Sequence, residues 1–191
     1  MTTNYDPFAI LVGTLDVYIA PAGETPPAVN TTPAGNWLSL GYTDGDQAIE
    51  HAQTVEYKRV NETTGPLKSV RTEEDHIVTM TLVNLTLETY ARVLENVANV
   101  ATVTGPPHVR NLPLKRGASM TRYALLLKGT AHSPYGNYPA QVYVPITVID
   151  GSPKLVRTKS FASGLEVEFH ALEDDSQATG YELGWMTAQD A

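Results

Sequence analysis

The stretch from Glu73 to Val100 changes its hydrophobic period once, and that change limits what the chain can build. From His76 to Leu82 the pattern alternates. Val78, Met80 and Leu82 fall on one face of a strand, and Thr79 and Thr81 on the other. From Thr86 onward the apolar residues recur at three- and four-residue steps. Leu87, Tyr90, Ala91, Leu94, Val97 and Ala98 make one stripe, which predicts a helix. Thr86 is placed to cap its amino end, and Glu88 favours the positive end of the helix dipole. No other segment predicts a helix as well. A lone helix among strands packs most simply across one end or face of a sheet.

The rest reads as strand and loop. Leu15, Val17 and Ile19 alternate with Asp16 and Tyr18, and Pro21-Ala22-Gly23 ends that strand. Residues 21–36, with four prolines and two glycines, predict a surface loop before a short strand at Trp37–Gly41. Residues 42–75 predict a long polar hairpin. Its outgoing arm, Gln47–Val60, carries Ile49, Val55 and Tyr57 on one face, its turn is Asn61–Pro66, and it returns over Leu67–Thr72. With little apolar surface of its own, such a hairpin is either a mobile excursion or an arm that orders on another subunit. Residues 99–119 read as irregular, with Arg110, Lys115 and Arg116 as a local basic cluster. Tyr123, Leu125 and Leu127 begin a further strand. Val142 to Val148 continue the pattern, with Pro145 where no ladder donor is needed. Leu165, Val167, Phe169 and Ala171 alternate with Glu166, Glu168 and His170. Residues 1–13, including Tyr5 and Phe8, are too apolar for a free tail and read as an arm that covers the chain's own sheet or docks on a neighbour. Residues 176–191, with Tyr181 and Trp185, read as a second arm. The expected fold is one mainly β domain over residues 1–191: an antiparallel β-sandwich or partial barrel with one flanking helix.

Composition narrows the chemistry. A chain of 191 residues can bury one sizeable core. The absence of cysteine removes disulfides, thiolate metal sites and cysteine nucleophiles. Thirteen basic against 21 acidic residues give a net charge of −8, the opposite of what a protein gripping phosphates shows. No apolar run is long enough to span a bilayer, and the amino-terminal residues lack a signal-peptide pattern, so neither membrane insertion nor secretion is expected. His51, His76, His108, His132 and His170 show no ligand spacing. Asp44-Gly45-Asp46 and Glu173-Asp174-Asp175 lack the oxygen spacing of a calcium loop and read as turns. There is no nucleophile elbow, phosphate loop or dinucleotide fingerprint. No enzyme, cofactor or metal is expected.

Three stretches together resemble the major tail tube proteins of long-tailed bacteriophages. They are Gly13-Thr14-Leu15-Asp16-Val17-Tyr18-Ile19-Ala20-Pro21-Ala22-Gly23-Glu24-Thr25, then Trp37-Leu38-Ser39-Leu40-Gly41-Tyr42-Thr43 followed by the polar hairpin, and Leu165-Glu166-Val167-Glu168-Phe169-His170-Ala171-Leu172-Glu173-Asp174. Their order and spacing span most of the chain. The resemblance implies a virion protein assembled in the bacterial host cytoplasm. Its partners would be copies of itself in stacked hexameric rings, together with tape-measure, tail-terminator and tail-tip proteins. DNA would pass through the lumen without specific binding. Arms and a long loop would bridge subunits and rings. Polar second faces of strands are then lumen candidates: Glu166 and Glu168 first, then Thr79, Thr81, Gln141 and Thr147. Tyr5, Phe8, Ile49, Val55 and Tyr57 are inter-subunit candidates. The basic residues Arg110, Lys115, Arg116, Lys154, Arg157 and Lys159 are candidates to meet Glu73, Glu74 and Asp75 of an adjacent subunit. Two other classes stay open: a non-catalytic β-sandwich binding module for carbohydrate or protein, with tyrosines and tryptophans as a stacking platform, and a metal-assisted hydrolase using the histidines.

The charge makes one prediction about any self-assembly. Subunits at −8 repel, so rings should form more readily as salt screens them. Light scattering across a salt series checks this. Dissolution of preformed rings by added salt would show instead that attractive ion pairs hold the contacts.

Overall fold

The structure is a computed structural model that describes residues 15–96, 100–103, 105, 107–157 and 164–190. The amino-terminal arm, the Val97 and Ala98 end of the expected helix, and Lys159 lie outside these residues. The elements, in order, are β1 (Asp16–Pro21), β2 (Leu38–Gly41), β3 (Thr43–Lys58), β4 (Lys68–Leu82), α1 (Leu87–Val93), β5 (Ala101–Val103), β6 (Val109–Asn111), β7 (Tyr123–Gly129), β8 (Ala140–Ile149), β9 (Lys154–Val156), β10 (Gly164–Ala171) and β11 (Trp185–Ala188). The described strand pairings are all antiparallel, so the fold is mainly β with one short helix, as the patterning predicts.

One nine-stranded sheet runs β2-β1-β7-β8-β10-β4-β3, with β11 beside β8 and β9 beside β10. It is not closed into a barrel. Its two ends are nonetheless neighbours in the chain, because β2 and β3 are separated by Tyr42 alone. Gly41 makes that corner. Its φ is +89°, and an added Cβ would lie 2.6 Å from the Asn84 side chain, so only glycine fits. Gln47 draws the margins together, accepting from the Leu15 amide at 2.8 Å and donating to the Leu15 carbonyl at 2.7 Å. The curl brings one face of the whole path into a single core, in which Val17, Leu40, Val78, Leu82, Leu125 and Phe169 meet.

The β1-β7-β8 half is buried on its other face as well. Ala20, Ala124, Leu126 and Tyr143 form a second apolar layer with Trp37. The proline-rich loop after β1 lies across it, tied down by side chains of the sheet. Tyr143 Oη donates to the Glu24 carbonyl at 2.8 Å and Gln141 Nε2 to the Pro27 carbonyl at 2.9 Å. Lys128 Nζ donates to the carbonyls of Ala28 at 3.2 Å and Thr31 at 2.7 Å. Gln141 and Thr147 are therefore buried rather than part of an open polar face. Thr147 Oγ1 donates to the Tyr123 carbonyl at 3.0 Å.

Four expectations are corrected. The helix is shorter than its apolar stripe, because Glu95 turns to φ +58°. The amides of Glu95 and Asn96 then bond back to the carbonyls of Arg92 and Ala91 at 2.9 and 2.7 Å, which closes the helix as a Schellman motif. Within it Val93 reaches the core, whereas Leu87 is exposed. The segment 99–119 is not wholly irregular, since β5 and β6 pair as a separate ladder. The return arm of the hairpin and the Thr79–Leu82 strand are one element, β4, because Ala52, Gln53 and Thr54 pair with Asp75, Glu74 and Glu73. The carboxyl-terminal segment is not a loose arm over its described length: β11 pairs with β8, and the Trp185 ring packs on Tyr143 at a 59° tilt with centroids 4.5 Å apart.

Tyr143 generates a pH prediction. Burial first, then the nearby Asp174 and Glu24 carboxylates, push its phenol up to about 12. In the unfolded chain it ionises near 10, so the native state holds the extra proton between those values. Its contribution to stability is complete below pH 10 and is lost as pH rises toward 12. Tyr143→Phe should flatten the alkaline limb of a stability–pH curve measured by urea unfolding. An unchanged limb would show that other groups control it.

Candidate functional site: the open polar face

The β10-β4-β3 half carries no covering loop among the described residues. There the alternation that sends Leu165, Val167 and Phe169 into the core sends Glu166, Glu168 and His170 outward. The same period in β4 turns Thr79 and Thr81 outward. Register aligns the two sets. Glu166 stands directly opposite Thr81, Glu168 opposite Thr79, and His170 opposite Ile77. Glu166, Glu168, Thr79 and Thr81, separated by more than eighty residues in the chain, thus share one patch. Asp46, from the bulged start of β3, joins its rim together with Ser152. Gly151 closes against it, since an added Cβ there would lie 2.7 Å from that of Glu168.

Farther along the same face, His170 Nε2 lies 3.0 Å from Asp75 and its Nδ1 lies 3.6 Å from Asp150. Acidic groups and hydroxyls dominate this surface. Like charges on an open, hydrated face repel anions without holding them. Among the described residues no group of three or more His, Asp or Glu is placed to hold a metal. The histidines are dispersed. His51 stacks on His76, His170 sits on the polar face, His132 lies against Gly129, and His108 is exposed. Of the two acidic triplets read as turns, the second opens one at Asp174, whose carbonyl accepts from the Gln177 amide at 3.0 Å, whereas Asp44-Gly45-Asp46 is not a turn but the bulged start of β3. Asp174 accepts from the Ser176 amide and hydroxyl and from Gln177, and those bonds hold its carboxyl below the usual range.

The inter-subunit candidates fare unevenly. Tyr5 and Phe8 lie outside the described residues. Ile49 is half-buried against the chain's own core, so its apolar surface is largely used within the subunit. Val55 is half-buried, and Tyr57 is 60% exposed toward the hairpin tip. Arg110 pairs with Glu88, and Arg116 lies 3.8 Å from Glu95 and donates to the Ile149 carbonyl at 3.0 Å, so neither awaits an acidic partner. Lys115, Lys154 and Arg157 are exposed. Glu73 accepts from Thr54 at 3.0 Å and Glu74 pairs with Arg71 at 3.1 Å. Both contacts are exposed, so exchanging them for a neighbour's groups costs little.

Of the apolar end of the hairpin, residue-by-residue reading picks out Tyr57 alone. Tyr57, Val60, Leu67 and Val70 are all exposed around its turn. Their signal was present as four apolar residues within an otherwise polar run. The two tryptophans, by contrast, are not a presented platform, because Trp37 and Trp185 both pack on Tyr143.

No protein-family model matches the chain, and no curated protein matches it. Among the described residues no helix is long and apolar enough to cross a membrane.

Proposed function

We propose that the chain is a structural subunit that assembles with copies of itself into stacked rings, forming the tail tube of a long-tailed bacteriophage. The polar face of β4 and β10 lines the conduit. The observation that carries this reading is the convergence of Glu166, Glu168, Thr79 and Thr81 on the sheet half that the described residues leave uncovered. A short-hydroxyl and carboxylate lining lets a polyanion slide, because adhesion to phosphates requires basic side chains. The sheet also ends in β3, a 16-residue strand whose described partner is β4 alone. A long exposed edge is a hazard in solution that pairing with a neighbour removes. Negative-stain microscopy at high protein concentration should reveal rings or tubes. A chain that stays monomeric at every concentration would contradict the proposal.

The hairpin is assigned to contacts between rings. It extends beyond the core, and its apolar residues gather at its far end. Its base is needed for folding, since Ile49 packs on the core and pairs with Val78. Only the tip can therefore be removed cleanly. Replacing residues 56–70 by Asn-Gly preserves the Val55–Arg71 pairing and supplies a tight hairpin turn. The variant should melt like the parent but form single rings without tubes. Long tubes from it would refute this role.

The lining has its own test. Tubes of the Glu166→Lys, Glu168→Lys variant should retain short duplex DNA at low salt and release it steeply as salt rises, whereas parent tubes should not retain it. Equal retention by both would place these residues away from the conduit.

A further inference from the structure

His76 stands apart from the polar face. It points to the core side of β4, is 5% exposed, and lies where three parts of the chain meet. On β3 its cross-strand neighbour His51 stacks on it, with ring centroids 4.5 Å apart and planes 16° from parallel. On the other side the segment leading into β11 presents the Leu183 carbonyl 3.3 Å from its Nδ1. Among the described residues Nε2 is buried with no hydrogen-bond partner. The neutral ring suits this setting, with its one N–H directed at Leu183. A second N–H on Nε2 would be buried without an acceptor, a costly arrangement.

The segment held here is the one that seats β11. Gly184, at φ +126°, packs so closely on β8 that an added Cβ would lie 2.5 Å from the Tyr143 carbonyl. Beyond it Trp185 to Ala188 pair with Tyr143 to Ala140. Leu183 is thus the hinge point between the root of the hairpin and the strand that covers one edge of β8.

We infer that His76 is an acid-sensitive latch: protonating it releases the Leu183 carbonyl, and with it the β11 segment, from the hairpin root and the β8 edge. The groups facing it decide the sign. Burial lowers its pKa most, the Leu183 carbonyl partly offsets this, and the nearby His51 lowers it again. Glu74 of β4 and Glu182 of the carboxyl-terminal segment line the same hollow, while β8 contributes Val142, which does not titrate. With the latched pKa below the ordinary 6.5, the released state binds the extra proton. The latch is fully closed above pH 6.5 and weakens as pH falls, by at most about tenfold in closed-to-open ratio per pH unit for one proton. The inference does not depend on tube assembly.

Hydrogen exchange on the full chain tests it, using protection factors normalised for the intrinsic rate. Between about pH 7.5 and about pH 5, the Trp185–Ala188 amides should lose protection while those of β7 keep theirs. In His76→Gln, which retains a donor for Leu183, and in His76→Leu, the same amides should show no loss over that range. His51→Ala should retain the loss, since His51 is exposed and only adjacent. Nuclear magnetic resonance titration of the parent's imidazole protons supplies a readout independent of the variants: His76 should titrate together with the loss of β11 protection. Unchanged β11 protection in the parent, an equal loss in the His76 variants, or titration of His76 with β11 still protected would each overturn the latch.

Discussion

The donors that reach the carbonyls of the proline-rich loop divide this molecule into two unlike halves. That loop contains Pro26, Pro27 and Pro33, which have no amide to offer a ladder, so its carbonyls cannot be satisfied by adding a strand. Tyr143, Gln141 and Lys128 satisfy them from below. The cost is visible in Lys128, which sits buried among neutral acceptors, Gln141 among them, and whose pKa is lowered by that burial. In return the loop seals the second face of β1, β7 and β8 over Trp37, Ala124 and Leu126. This half has apolar side chains on both faces.

The other half follows from the loop's limited length. It covers β1, β7 and β8 and leaves β10, β4 and β3 with one buried and one polar face. Beyond Ile77 and His170, the one sheet partner of β4 among the described residues is β3, and the ribbon continues outward with exposed ion pairs for support. Such pairs add little to stability. The same chain therefore holds a sealed core, an open polar surface and an extended edge, and the last two are what the proposed assembly would use as lining and joint.

The strands with one buried face were legible in the sequence. Leu165 to Ala171 and Val78 to Leu82 alternate cleanly, and their outward residues were correctly grouped as second faces. Where both faces are buried, alternation carries no signal, and so Leu126 and Tyr143 gave no hint of the second layer. The polar run Glu73-Glu74-Asp75 reads as a rim, yet it is strand, because pairing with residues 52–54 overrides its composition. The helix stripe continues past the true end of the helix, which is set by a left-handed Glu95, a conformation with no sequence signature at a glutamate. Arg110 finds Glu88 and Arg116 finds Glu95 through tertiary approach, which spacing cannot foretell. That Glu166 and Glu168 stand directly opposite Thr81 and Thr79 needed the register, and the register needs the fold.

In the proposed assembly the β3 edge and the hairpin are completed by other copies of the chain. Hydrogen exchange compared between dilute and concentrated protein addresses it most directly. Amides of β3 and of the distal part of β4 should exchange fast when dilute and become protected on concentration, while those of β7 and β8 stay slow throughout. Exchange in β3 and distal β4 that is the same at both concentrations would contradict it.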